Sequence, residues 1–261
     1  MSLEGIVGRR LVTLDSTTYV IGLLDRAQTA LPQSDNNTME ELKMKLKSFH
    51  AAMLSDLSSS ISERCISTAK QFLVRSHIYL SKTTPPQLSS ATDAIIITND
   101  LLNTQQYINL LFHSLSTKQS NDSTTESIGR NLLTTISKHF TKAIISAPTI
   151  TKTGFSQFEA DASLILKSFP HNILSDASND TSSDLSLLKE CLSIFNLTVH
   201  EKEMLRDAVV GITGGEEGEI GDVAQREIWE ILSTKGFKII NHEYFLNLLE
   251  KSLKIVGTDS E

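Results

Sequence analysis

Cysteine is scarce in this chain. Only Cys65 and Cys191 occur in 261 residues, which excludes the dense disulfide framework of a small secreted domain. Both stand inside apolar helical patterns and are expected to be buried free thiols. Helix breakers are few as well: 5 Pro and 12 Gly leave room for long uninterrupted elements. No apolar run approaches the roughly 18–20 residues needed to span a bilayer. Gly8-Arg9-Arg10 breaks the one short apolar stretch near the start, so no secretory leader is expected. A cytosolic chain is the expectation. Positive charge is also in deficit, with 24 Lys and Arg against 31 Asp and Glu, a net charge of −7. Phosphate contacts need clustered Lys and Arg, so nucleic acid is an unsuitable partner. Lys43, Lys45 and Lys47 alternate with Met44 and Leu46 and read as the solvated side of a helix.

Catalytic and metal-binding patterns are missing too. No Gly-x-x-x-x-Gly-Lys-Ser/Thr phosphate loop is present. Glycines 211, 214, 215, 218 and 221 are interleaved with Glu216, Glu217 and Glu219, which would repel a phosphate. That stretch reads as a flexible surface loop. His200-Glu201 and His242-Glu243 each begin like a zinc-protease motif, but the second histidine is absent. Glu159 and Asp161 lie two apart on a helix and point in different directions, so they are no acid–base couple. Neither cysteine has a neighbouring histidine to activate it. No enzyme activity, cofactor, metal or small-molecule substrate is expected.

What is present is a period of 3.6 residues throughout. Ser16 and Thr17 are expected to cap a helix from Thr18 to Leu31, closed by Pro32. Thr38 and Glu41 form a capping box that opens a long helix reaching about Ser81. Its stripe reads Leu42, Leu46, Phe49, Met53, Leu57, Ile61, Cys65, Ala69, Phe72, each step three or four residues. A third helix runs from about Ser89 to Thr117 with Ile97, Leu101, Ile108, Leu111 and Leu115 inward. After a loop from Lys118 to Thr125, a fourth carries Ile128, Leu132, Ile136, Phe140 and Ile144, and Pro148 ends it. A fifth spans about Thr153 to Phe169, with Phe155, Phe158, Ala162, Ile165 and Phe169 inward.

The polar tract Ser175–Ser183 is the expected internal boundary. It would separate a long-helix bundle, 1–174, from a bundle of shorter helices, 184–261. The first of these carries Leu185, Leu188, Leu192 and Phe195. The next opens with a second capping box, Thr198 and Glu201. After the acidic loop Thr213–Asp222, a helix from about Ile220 to Ser233 is stopped by Gly236. Trp229 stands one place off its inner stripe, suited to the edge of a core or to an exposed anchor. Asn241 caps a last helix with Phe245, Leu248, Leu249 and Leu253. Roughly nine helices and no strand are expected. The fold class is all-α, an elongated stack of antiparallel helical bundles.

The segment Lys152-Thr-Gly-Phe-Ser-Gln-Phe-Glu-Ala-Asp161 resembles a signature near the C-terminus of the Tip-twenty/RINT-one family. Gly154, Gln157, Phe158 and Asp161 carry the match. Leu188-Lys-Glu-Cys-Leu-Ser-Ile-Phe-Asn-Leu197, Met204-Leu-Arg-Asp-Ala208, the acidic glycine-rich spacer and Phe245-Leu-Asn-Leu-Leu249 are similar to the family's following pieces, in the same order. The similarity covers about residues 150–255. Relatives often have two adjacent glycines where this chain has Gly154-Phe155.

The resemblance implies a rod of helical bundles in a multisubunit tether, non-catalytic and peripheral on the cytosolic face of the endoplasmic reticulum. Such a tether captures COPI-coated vesicles returning from the Golgi, and its partners are other tether subunits and ER SNARE proteins. Members are much longer, so the match is to their C-terminal third. The four signature residues are expected to be structural, with Phe158 packing inward and Asp161 pairing locally. A subunit of another tether (exocyst, GARP or COG), or a helical adaptor outside membrane traffic, remains the alternative.

Overall fold

The computed structural model describes residues 3–30, 36–81, 91–117, 122–179, 183–213 and 222–257. Among these, ten α-helices and no strand are found. They are α1 (Leu3–Ala30), α2 (Asn36–Leu80), α3 (Ala91–Thr117), α4 (Asp122–Ser146) and α5 (Lys152–Leu166). Five shorter ones follow: α6 (His171–Asn179), α7 (Asp184–Asn196), α8 (Val199–Thr213), α9 (Asp222–Thr234) and α10 (His242–Gly257). The all-α class expected from the 3.6 period is therefore the class observed. By their contacts the residues fall into two compact units, Met1–Ser67 with Gln106–Leu132, and Thr68–Gln105 with Leu133–Glu261. These units group residues by contact, whereas the boundary expected at 175–183 follows the order of the chain.

In the first unit, α1 and α2 run antiparallel. Arg10 pairs with Asp56 at 2.7 Å, Thr18 with His50 at 3.2 Å, and Gln28 donates to Glu40 at 2.9 Å. Lys43 also pairs with Asp25. The Tyr107 hydroxyl of α3 donates to the Ile61 carbonyl of α2 at 3.3 Å. The core is built from Leu11, Leu14, Leu57, Ile61, Ile108 and Leu111, with Ile128 and Leu132 of α4. Ser16 and Thr17 do not cap a helix here. They lie inside α1, and their hydroxyls donate back to the carbonyls of Val12 and Thr13, both at 2.7 Å. Such back-bonding satisfies a hydroxyl within a helix, so a Ser-Thr pair need not mark a helix start. Thr38 is likewise inside α2, which begins at Asn36, and Glu41 pairs with Lys45 one turn on. The stripe of α2 divides at Leu57. From there Ile61, Cys65 and Ala69 are buried, whereas Leu42 and Phe49 are about half exposed. The side chains of Phe72 and, on α3, of Ile97 are outside the described residues.

In the second unit, Pro148 follows the end of α4 by two residues, as a residue that disfavours helix before it should. The link to α5 is held by the end of α2: the Thr151 N–H donates to the Leu80 carbonyl at 2.8 Å, and Ser81 Oγ donates to the Thr149 carbonyl at 2.8 Å. Lys251 of α10 reaches the Ile145 carbonyl in the last turn of α4 at 2.8 Å, where a cation meets the negative helix end. Helix α10 packs on α7 and α8, α9 on α8, and α6 on α7. Phe140, Phe158, Leu188, Phe245 and Leu248 are fully buried in this unit.

Two further boundaries differ from the expectation. Helix α4 starts at Asp122, inside the loop expected to run to Thr125. Helix α6 covers 171–179, most of the tract expected to be polar linker. Ile173 explains it: this residue is fully buried, and its packing outweighs the weak helix preference of Ser175, Asp176 and Ser178. The acidic loop expected between Thr213 and Asp222 falls, at 214–221, outside the described residues.

Other local signals are realised closely. The Glu201 carboxylate accepts the Thr198 N–H at 3.0 Å, and Thr198 Oγ1 accepts the Glu201 N–H at 3.3 Å, a reciprocal capping box. Gly236 has φ +90, and the Phe237 N–H returns to the Leu232 carbonyl while the Gly236 N–H returns to Ser233, both at 3.0 Å. That pair of bonds is the Schellman ending, with buried Phe237 and Leu232 as its apolar partners. Asn241 Oδ1 accepts the Tyr244 N–H at 2.8 Å and starts α10.

Candidate functional site

The signature residues sit together on α5. Thr151 is the N-cap, and its hydroxyl accepts the Gly154 N–H at 3.1 Å. Gly154 is buried, as are Phe155 and Phe158 beyond it. Phe158 meets Phe140 edge-on, with ring centroids 5.5 Å apart. Asp161 is buried and accepts from Gln157 Nε2 at 2.8 Å, one helical turn away. Glu159 turns the other way and accepts from Asn196 Nδ2 at 3.0 Å. The two carboxylates therefore have separate partners.

A cleft of about 540 Å³ opens beside this segment. Its walls are the first turns of α5, the α7–α8 turn and the last turns of α10. Lys152, Phe155, Ser156 and Glu159 come from α5, Phe195 and Asn196 from α7, and Ser252 and Ile255 from α10. Phe155 stacks on Phe195 at 4.5 Å and 20°. Thr198, Val199 and Lys202 bring the start of α8 to the same space. Lys202 is only 4% exposed, and its ammonium donates to the Phe195 carbonyl at 3.0 Å near the end of α7. No carboxylate of the described residues pairs with it, and burial pushes its pKa below the ordinary lysine value.

Sequence reasoning missed Lys202, although a signal existed. It stands three residues before Leu205 and seven before Val209, on the buried stripe of α8. It also missed Glu190, whose carboxylate holds the link between α9 and α10. No local pattern announces a contact between residues fifty positions apart.

The remaining candidates are spread out. Burial pushes the thiols of Cys65 and Cys191 up to about 12, which keeps both protonated and unreactive near neutrality. Among the described residues no three His, Cys, Asp or Glu side chains are placed to hold a metal ion. His200 is exposed and His242 half-buried, on different helices. Trp229 is 46% exposed on α9. No helix of the described residues is long and apolar enough to cross a membrane. The arrangement offers packed helices, exposed apolar side chains and a mixed-polarity cleft, which suit the binding of another protein.

The family model for the RINT-1/TIP-1 family matches residues 25–252. No curated protein and no solved structure matches the chain.

Proposed function

Because the chain belongs to the RINT-1/TIP-1 family, whose members are tethering-complex subunits in ER-related membrane traffic, we infer that it tethers vesicles returning from the Golgi to the ER. In this reading it is a non-catalytic subunit. It binds the other subunits of its complex and ER SNARE proteins, and it captures COPI-coated vesicles. It is held at the cytosolic face of the ER by these partners. The observation that carries the reading is the family match, which extends from α1 to α10. The chemistry of the surfaces supports it. A tether requires helical faces that accept partner helices. Leu42 and Phe49 on α2, and Trp229 on α9, are large apolar side chains left at the surface of helices.

Depletion of the protein tests the role. Loss of a retrieval tether is expected to let ER residents that carry retrieval signals escape to the Golgi and beyond. Full retention of such residents in depleted cells would refute the reading.

A further inference from the structure

Lys202 is the least expected residue of the α5–α8–α10 cleft. An ammonium has three N–H donors, and here one carbonyl, that of Phe195, is its acceptor among the described residues. A buried charge without a counter-charge is costly. Capping the end of α7 does not account for it, because a surface lysine serves a helix C-terminus equally well. The surroundings add positive potential. The N-terminal turns of α5 and α8, both fifteen-residue helices, open on the cleft, and Lys152 stands among its walls. The one lining carboxylate, Glu159, is engaged by Asn196. A chain of net charge −7 thus places a buried cation and two helix N-termini here, and the lining carboxylate is occupied.

The rest of the cleft is mixed, with Ser156, Asn196 and Thr198 polar and Val199 and Ile255 apolar. The stacked Phe155 and Phe195 line it, and Val199 is 41% exposed beside them. Its volume of about 540 Å³ lies in the range of sites that bury a drug-sized ligand. A free small anion would leave Val199 uncovered. We propose that this cleft binds an extended segment of a partner protein, whose aspartate or glutamate carboxylate pairs with the Lys202 ammonium while a neighbouring apolar side chain packs on Val199. This rests on the reading of the chain as a partner-binding subunit and names the chemistry of one partner segment.

The probe is an array of acetylated, amidated octapeptides of Leu, Val, Ala and Ser. A single glutamate is placed at each position in turn, and a matched array carries glutamine instead. The whole chain is applied, and the best pair is measured in solution by fluorescence anisotropy. The glutamate peptide is expected to bind at least about tenfold more tightly than its glutamine partner. Lys202→Met should erase that preference. Ser156→Glu, an exposed change on α5, should weaken the glutamate peptide without touching the core, so the test stands even if Lys202→Met does not fold. Equal binding of the two peptides, a preference that survives Ser156→Glu, or displacement by free glutarate as effective as by peptide would each overturn the proposal. If tether subunits and SNAREs still co-purify with a chain that shows no such preference, the cleft proposal fails and the tethering role stands.

Discussion

Glu190 and Ile240 are fifty residues apart, yet Oε2 of Glu190 accepts the Ile240 N–H at 2.9 Å. The same carboxylate accepts the N–H groups of Ile239 at 3.0 Å and Lys238 at 2.7 Å. One side chain of α7 thereby satisfies three consecutive main-chain donors in the link between α9 and α10. This link is short and irregular, so it has no helical acceptors of its own. The contact fixes where α10 begins and hence how its apolar face meets α7.

Glu190→Ala removes all three acceptors at once. A stability loss of about 2–3 kcal/mol is expected, with Glu190→Gln closer to about 1 kcal/mol because its amide oxygen still accepts. Urea unfolding measures both. Equal stability of Glu190→Ala and the parent chain would mean that water replaces the carboxylate at no cost.

Phe158→Ala should cost about 3–5 kcal/mol, the range for emptying a buried aromatic site. Phe158 is fully buried and meets Phe140 edge-on. Thermal unfolding followed by circular dichroism reads the loss. Retention of the parent melting temperature would show that Phe158 contributes nothing to the core of α5.

Two glycines respond in opposite directions to alanine. Gly236 has φ +90 with nothing within 4 Å of an added Cβ, so Gly236→Ala meets backbone strain alone. It should destabilise by about 1–2 kcal/mol. Gly22 lies inside α1, also with open space, and Gly22→Ala should stabilise by about 0.5–1 kcal/mol. Paired denaturation curves decide the matter by sign.

The Thr198–Glu201 box makes a pH prediction. The Thr198 N–H and hydroxyl hold the Glu201 carboxyl below its ordinary value of 4.5. A carboxyl with a depressed folded-state pKa contributes stability above its unfolded pKa, and that contribution disappears as pH falls through the folded value. Between about pH 6 and pH 3 the parent chain should therefore lose an increment of stability that Glu201→Gln does not lose. Parallel pH dependences for the two chains would contradict the box.

Much of the fold is legible in the sequence where the signal is local. The four-residue spacing from Ile128 to Ile144 is matched by a fully buried stripe on α4, and Gly236 and Asn241 bound their helices as their side chains require. Where tertiary packing decides, the sequence is misleading. Thr17 reads as a cap but is a buried interior residue of α1, and the polar stretch at 175–179 becomes helix because Ile173 is buried. The site is less legible than the fold. Gly154, Gln157, Phe158 and Asp161 mark α5, but the cleft beside it depends on Phe195, Lys202 and Ile255 arriving from three other helices. Only the position of Lys202 on an apolar stripe hints at it.

Affinity purification of the intact protein from cells that express it, with identification of what it retains, tests the tethering role most directly. Recovery of further tether subunits together with ER SNARE proteins is the predicted result. A clean purification that retains neither would contradict it.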